Sequence, residues 1–200
     1  VIFRVIGDTT ARRQALESGS IDGYDLVAPA DLGALEQGGY TLVNRDPFNI
    51  LYLGMNQADP ALADIRVRQA ITQAIDKEQL VTQVLPEGTT VATQFMPDTV
   101  SGYATDLEPY SYDVEEAKRL LKEAGAEGME LTFAYPTEVS RPYMPDPEKI
   151  YEALRTDLEA VGVKVNVKTA SWNGGYLDKD RKSVVLGKSV DLGGRRIIKK

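Results

Sequence analysis

Cysteine and histidine are both absent from these 200 residues, and tryptophan occurs once. Without cysteine there is no disulfide, no thiolate metal site and no thiol nucleophile. Without histidine the usual general base and the commonest metal ligand are missing. A Ser-His-Asp triad, a HExxH zinc site and a zinc finger are therefore excluded from this chain. Positive charge is also in deficit: 23 Lys and Arg stand against 30 Asp and Glu, a net of -7. That balance argues against nucleic acid and anionic membrane as main partners. No apolar run approaches the roughly 20 residues that a spanning helix needs.

What is present reads as globular. The chain is 42% hydrophobic and 26% charged, enough apolar material for a core. It opens on Val1 rather than Met, directly on an apolar run, which reads as an internal start. The other end departs from the rest. Residues 180–200 hold seven basic and two acidic side chains with no amphipathic pattern. They resemble the in-frame translation of a sequencing-adapter oligonucleotide, so residues 180–200 are expected to be foreign and are set aside. The remaining residues carry a net of about -12. Within this tail Gly187-Lys188-Ser189 imitates the end of a P-loop, but the position that needs the earlier glycine holds Lys182.

The pattern predicts alternating strands and helices. Residues 1–7, 24–28, 40–43 and 48–55 read as strands, and 11–18 and 29–37 as short helices. Gly19 suits the left-handed position after the first helix. Val67, Ala70, Ile71, Ala74 and Ile75 recur at helical spacing, and Asp76 with Gln79 forms a capping-box pattern that starts another helix. Residues 86–112 form a long irregular stretch, uncommon unless it is functional or wraps a surface. Asp113 and Glu116 form a second box, and Gly125 closes that helix. Residues 129–135 predict a strand. Asp146-Pro147 starts a helix whose core face is Ile150, Leu154, Leu158 and Val161. Val163, Val165 and Val167 then alternate with polar residues as in a half-exposed strand. The class is α/β without internal repeats.

Several residues invite a ligand reading beside a plainer one. Arg66 and Arg68 flank a helix start, where anions bind, yet paired surface arginines are the commoner case. Arg141 lies in Ser140-Arg141-Pro142-Tyr143-Met144-Pro145, soon after a predicted parallel strand. Ligands of α/β sheets bind beyond strand carboxyl ends, and a rigid guanidinium there can take a carboxylate through two hydrogen bonds. From the residues alone, a surface arginine in a proline-rich turn is the commoner case. Tyr143 supplies an aromatic wall. Asn49 and Asn56 bracket an apolar strand and serve either a ligand or a turn. Trp172 can cover an apolar ligand group or simply join the core. Asp146, Glu148 and Glu152 read as a cap and a solvated helix face, and no carboxylate pair stands out as acid and base.

These residues together resemble a known family. Ile65-Arg66-Val67-Arg68-Gln69-Ala70-Ile71 followed by Ala74-Ile75-Asp76-Lys77 is similar to the VRQA…A-[IV]-[DN]-[KR] signature of solute-binding proteins of peptide/nickel ABC importers. Tyr112-Asp113, Ala117-Lys118 and Leu120-Leu121-Lys122-Glu123-Ala124-Gly125 resemble its YDxxxAKxLLxEAG segment, and Gly162-Val163-Lys164-Val165 its G-[IV]-K-[VI] strand start. The bend at 140–145 looks like that of the dipeptide-binding branch, and the resemblance runs over residues 1–179.

The resemblance implies part of a two-lobed periplasmic-binding-protein clamshell of class II type. Residues 1–47 would be a partial first lobe reaching the hinge, and residues 48–179 a partial second, ligand-binding lobe. It also implies binding of di- or oligopeptides and their delivery to ABC importer permease subunits, without catalysis or cofactor. The place would be periplasmic or extracytoplasmic, with the membrane met only through the permease or a lipid anchor. Arg141 would grip the peptide carboxylate, with Tyr143, Asn49 and Trp172 around the ligand. The acidic partner for the peptide ammonium would lie beyond this chain. The alternatives are a relative binding a metal chelate or a sugar, or a small α/β enzyme fragment. Absence of histidine removes a directly His-ligated nickel site.

Overall fold

The computed structural model describes residues 1–43, 48–176 and 184–186. The chain forms two compact units, Val1–Asp46 and Pro47–Lys200.

The first unit holds two short helices. Asp8 caps α1 (Thr9–Glu17) by accepting the Ala11 N–H at 2.8 Å. A 3-10 turn, Pro29–Asp31, leads into α2 (Leu32–Gln37). Gly19 and Gly39 take positive φ after the two helices, as expected for αL termination. The strands expected at 1–7, 24–28 and 40–43 do not form. A strand exists only against another strand, and the described residues of this unit supply no partner. Val1, Ile2, Phe3 and Val5 are almost fully exposed, and Leu26 turns the 24–28 stretch at φ 60°.

The second unit is built on one sheet. Its strands are β1 (Leu53–Gly54), β2 (Glu130–Thr137), β3 (Lys164–Ser171) and β4 (Val184–Leu186), in the order β1-β4-β2-β3. Of the long strand expected at 48–55, two residues pair. Of the tail set aside as foreign, residues 184–186 are described, and they supply β4. β2 and β3 are parallel neighbours, joined through α7 (Pro147–Ala160).

The helices α3 (Pro60–Ala63), α4 (Ile65–Ala74), α5 (Lys77–Gln83) and α6 (Val114–Glu123) complete the unit. The predicted apolar stripes are buried. Val67, Ala70, Ile71, Ala74 and Ile75 meet Ala117, Leu120 and Leu121 of α6, Leu131 and Phe133 of β2, and Ile150, Leu154 and Leu158 of α7 in one core. Phe133 has no exposed surface and packs edge-to-face on Tyr151, with ring centres 5.1 Å apart.

Both expected capping boxes form by half. Asp76 accepts the Gln79 N–H at 2.9 Å, and Asp113 accepts that of Glu116 at 2.9 Å. In each case the cap residue's own N–H goes to a distant partner. Asp76 N donates to Asp157 at 3.0 Å and Asp113 N to the Gln73 carbonyl at 2.9 Å. Glu116 is released to pair with Arg119.

Residues 86–112 contain no helix or strand but staple themselves together. The Gln94 side chain bonds the Ala104 carbonyl at 2.7 Å, and the Thr93 and Tyr103 hydroxyls meet at 2.6 Å.

Candidate functional site

β2 and β3 run in register from Glu130↔Lys164 to Thr137↔Ser171, so their carboxyl ends lie side by side. The segments that follow them meet at that edge, the usual ligand side of a parallel sheet.

After β2, Glu138 adopts φ 57°, a left-handed conformation uncommon outside glycine. It turns the chain into the bend at 140–145. Two backbone bonds close this bend, Arg141 N to Met144 O at 3.0 Å and Met144 N to Arg141 O at 2.9 Å. Met144 is buried and anchors it, while Pro142 and Tyr143 form its tip. Proline fixes φ at Pro142 and Pro145, so the position of Arg141 is set by backbone rather than by its own side chain.

After β3 the chain makes one wide turn of π type, Trp172–Tyr176, a form often found at functional positions. Tyr176 is buried and stacks on Trp172 with ring centres 6.2 Å apart and planes at 21°. Its hydroxyl donates to the Ala134 carbonyl at 3.3 Å. A Cβ on Gly174 would meet the Ser171 hydroxyl, which would have to rotate away. Trp172 is thus backed by a fixed ring.

The Arg141 guanidinium lies over the Trp172 ring, its carbon 5.1 Å from the ring centre. Such a contact is worth about 0.5–1 kcal/mol at an exposed site. Nη1 donates to the Ser140 carbonyl at 3.1 Å. Among the described residues no carboxylate is in ion-pair contact with Arg141.

The other arginines of the helices in this unit are all engaged. Arg66 pairs with Asp64 at 2.6 Å and bonds the Glu123 carbonyl at 2.9 Å. That pairing lowers the Asp64 pKa to about 2. Arg68 holds the Leu62 and Ala63 carbonyls, both at 2.8 Å. Arg119 pairs with Glu116 and Glu123, and Arg155 with Glu152 and Glu159. The plain structural reading of Arg66 and Arg68 therefore describes them. Among the described residues Arg141 is an exposed cation set on an aromatic plane.

Burial, and secondarily Tyr143, push the Tyr52 hydroxyl pKa up. Tyr52 meets Phe95 edge-to-face, with ring centres 4.9 Å apart.

The structure therefore brings Arg141, Tyr143 and Trp172 to one edge. Asn49 is half-buried, and among the described residues no hydrogen bond joins it to those three. Asn56 serves a turn, its side chain accepting from Ala58 N at 3.1 Å. Asp146 caps α7 and bonds Lys149, and Glu152 pairs on the helix surface. Tyr176, Tyr52 and Phe95 are absent from the sequence reading. The four-residue spacing of Trp172 and Tyr176 is a signal for the first, whereas nothing local marks the other two. Among the described residues no group of three acidic side chains converges to hold a metal, and no helix is long and apolar enough to cross a membrane.

Comparison with known proteins identifies the family and the fold. Residues 1–191 match the model of the bacterial extracellular solute-binding proteins, family 5 Middle, and the chain belongs to that family. It is 31% identical over 198 residues to the dipeptide-binding protein of Escherichia coli K12, covering 96% of this chain and 37% of that protein. The structure of HbpA2 from Haemophilus parasuis superposes with a TM-score of 0.76 at 31% identity, covering 92% of this chain and 37% of that one. The dipeptide-binding protein of Pseudoalteromonas sp. SM9913, in complex with Met-Leu, superposes with a TM-score of 0.70 at 27% identity over 92% and 37%. The chain thus spans about 37% of the length of the relatives it matches. The family and the α/β fold of two-lobed binding proteins expected from the sequence are those found.

Proposed function

We propose that this chain is the part of a peptide importer's binding protein that receives the ligand's carboxylate, and that it binds without catalysis. The observation that carries the reading is Arg141: an exposed guanidinium, set by a closed bend beyond parallel strand ends and laid on Trp172 rather than on an acid. A planar cation so held can take a carboxylate with two parallel bonds. The names of the relatives, a dipeptide-binding protein and another in complex with Met-Leu, favour a peptide as the source of that carboxylate.

In this reading Tyr143 and Trp172 wall the ligand, and Asn49 lies at its margin. Peptide main-chain groups supply the remaining polar partners, giving affinity with little side-chain selectivity. Closure around the ligand is a hinge motion that shifts the population toward the shut form. Residues 1–47 belong to the first lobe and residues 48–179 to the second. The loaded protein hands its ligand to the permease outside the cytoplasm, and it meets the membrane only through that permease or a lipid anchor.

Arg141→Ala in the intact gene product is expected to weaken dipeptide binding by more than about 2 kcal/mol, because a charged hydrogen bond is lost. That is about 30-fold in Kd. Arg141→Lys keeps the charge without the fork and recovers part of the loss. Calorimetry showing unchanged affinity in Arg141→Ala contradicts the reading.

A further inference from the structure

The segments that follow β2 and β3 are joined by more than the contact between Arg141 and Trp172. Tyr176 is buried and donates its hydroxyl to the Ala134 carbonyl at 3.3 Å. Ala134 lies in the middle of β2, the strand that carries the Arg141 bend. Each contact leads to the next. β2 passes through Glu138, at φ 57°, to Arg141. The Arg141 guanidinium lies over Trp172, and Trp172 stacks on Tyr176 with ring centres 6.2 Å apart. Tyr176 then returns to β2 through its hydroxyl. The circuit is closed, and Tyr176 is the member that ties the turn after β3 to the strand before the bend.

A guanidinium that takes a carboxylate through two parallel bonds needs both its tilt and its rotation set. Two contacts act on Arg141. The indole face of Trp172, whose centre is 5.1 Å from the guanidinium carbon, limits the tilt. The bond from Nη1 to the Ser140 carbonyl at 3.1 Å limits the rotation. Among the described residues no hydrogen bond engages Nε and Nη2, which leaves one edge of the fork open. Trp172 is itself only half-buried, so its place depends on the ring behind it. An exposed arginine with no such seat is ordered only when ligand arrives, and that ordering costs affinity.

We propose that Tyr176 is a positioning residue for carboxylate recognition: tied to β2 by its hydroxyl, it holds the Trp172 ring in place and through that ring pre-sets the Arg141 fork. This rests on the peptide reading given above and adds a residue to it. Because Tyr176 is buried, it acts through Trp172 rather than on the ligand. Its two parts have separate duties. The ring supports the indole by stacking, at a centre separation typical of favourable aromatic pairs. The hydroxyl fixes the ring against β2. Loss of the ring frees the indole, and with it the seat of the guanidinium, while the Arg141 charge is kept.

The test titrates the intact gene product and its Tyr176→Leu and Tyr176→Phe variants with Ala-Ala and with its C-terminal amide by calorimetry. The melting temperature of each protein is followed alongside. The wild type is expected to bind the acid at least about 30-fold more tightly than the amide. Tyr176→Leu removes ring and hydroxyl together and is expected to cut that acid-to-amide ratio at least about threefold. Tyr176→Phe keeps the stacked ring without the hydroxyl, and its ratio is expected to lie between the two. A tyrosine that served stability alone would, when replaced, lower the melting temperature and weaken acid and amide alike. An unchanged ratio in Tyr176→Leu therefore overturns the positioning proposal and leaves the peptide reading standing. Should Tyr176→Leu not fold, the ratio in Tyr176→Phe decides in the same way. Equal affinity of the wild type for acid and amide overturns the peptide reading itself.

Discussion

Asp157 and Asp64 are carboxylates of opposite sign in the stability of the second unit. Asp157, on α7, is half-buried and accepts the Asp76 N–H, with burial raising its pKa from an ordinary 3.8. A raised folded pKa means that the charged form opposes folding: the benefit is present below 3.8 and is lost as pH rises through the folded value. Asn at this position keeps an acceptor without the charge. Asp157→Asn is therefore expected to melt above the wild type at pH 7, the gap closing below pH 3.8, by thermal unfolding followed in circular dichroism. Asp64 is the reverse. Arg66 lowers its pKa to about 2, so its contribution is present above 3.8 and fades as pH falls through about 2. Asp64→Asn is expected to lower the melting temperature at pH 7, with the difference shrinking below pH 3.8 and vanishing only below about pH 2. A melting temperature unchanged by Asp157→Asn at pH 7 contradicts the first assignment.

The helix–strand junctions explain how the site edge is built. α6 and α7 both end in the same double bond pattern. Gly125 N donates to Lys122 O and Ala126 N to Leu121 O; Gly162 N donates to Glu159 O and Val163 N to Leu158 O. The pattern needs a left-handed residue, and Gly125 and Gly162 have φ 67° and 87°. Alanine at either is expected to cost about 1–2 kcal/mol, read as a shift in the urea midpoint with unchanged slope. These junctions were legible in the sequence because Gly follows an apolar stripe at a fixed offset. So were the Asp caps and the buried faces of α4, α6 and α7, which depend on local spacing alone. The strands at 1–7, 24–28 and 48–55 were not, since apolar alternation reports burial but not whether a partner strand exists. The same limit applied to the site. The Arg141 bend could be read from its prolines and its place after a strand. The stacking of Arg141 on Trp172, the bond from Tyr176 to the Ala134 carbonyl and the contact of Tyr52 with Phe95 join residues 31 to 43 positions apart, which only the fold brings together.

At the scale of the whole chain, exposure is uneven. The second unit buries a continuous core, whereas Val1, Ile2, Phe3 and Val5 of the first stand in solvent. An apolar run of that kind invites association. Expressed alone, the chain is expected to bind the dye ANS and to sediment as more than one species; a monodisperse, dye-silent monomer contradicts this. The central claim concerns charge recognition at the edge beyond β2 and β3. It is tested most directly by titrating the intact gene product with a dipeptide and with the same dipeptide as its C-terminal amide. The amide keeps every side chain and loses only the anion. The account predicts that the amide binds at least about 30-fold more weakly, and equal affinity for acid and amide would contradict it.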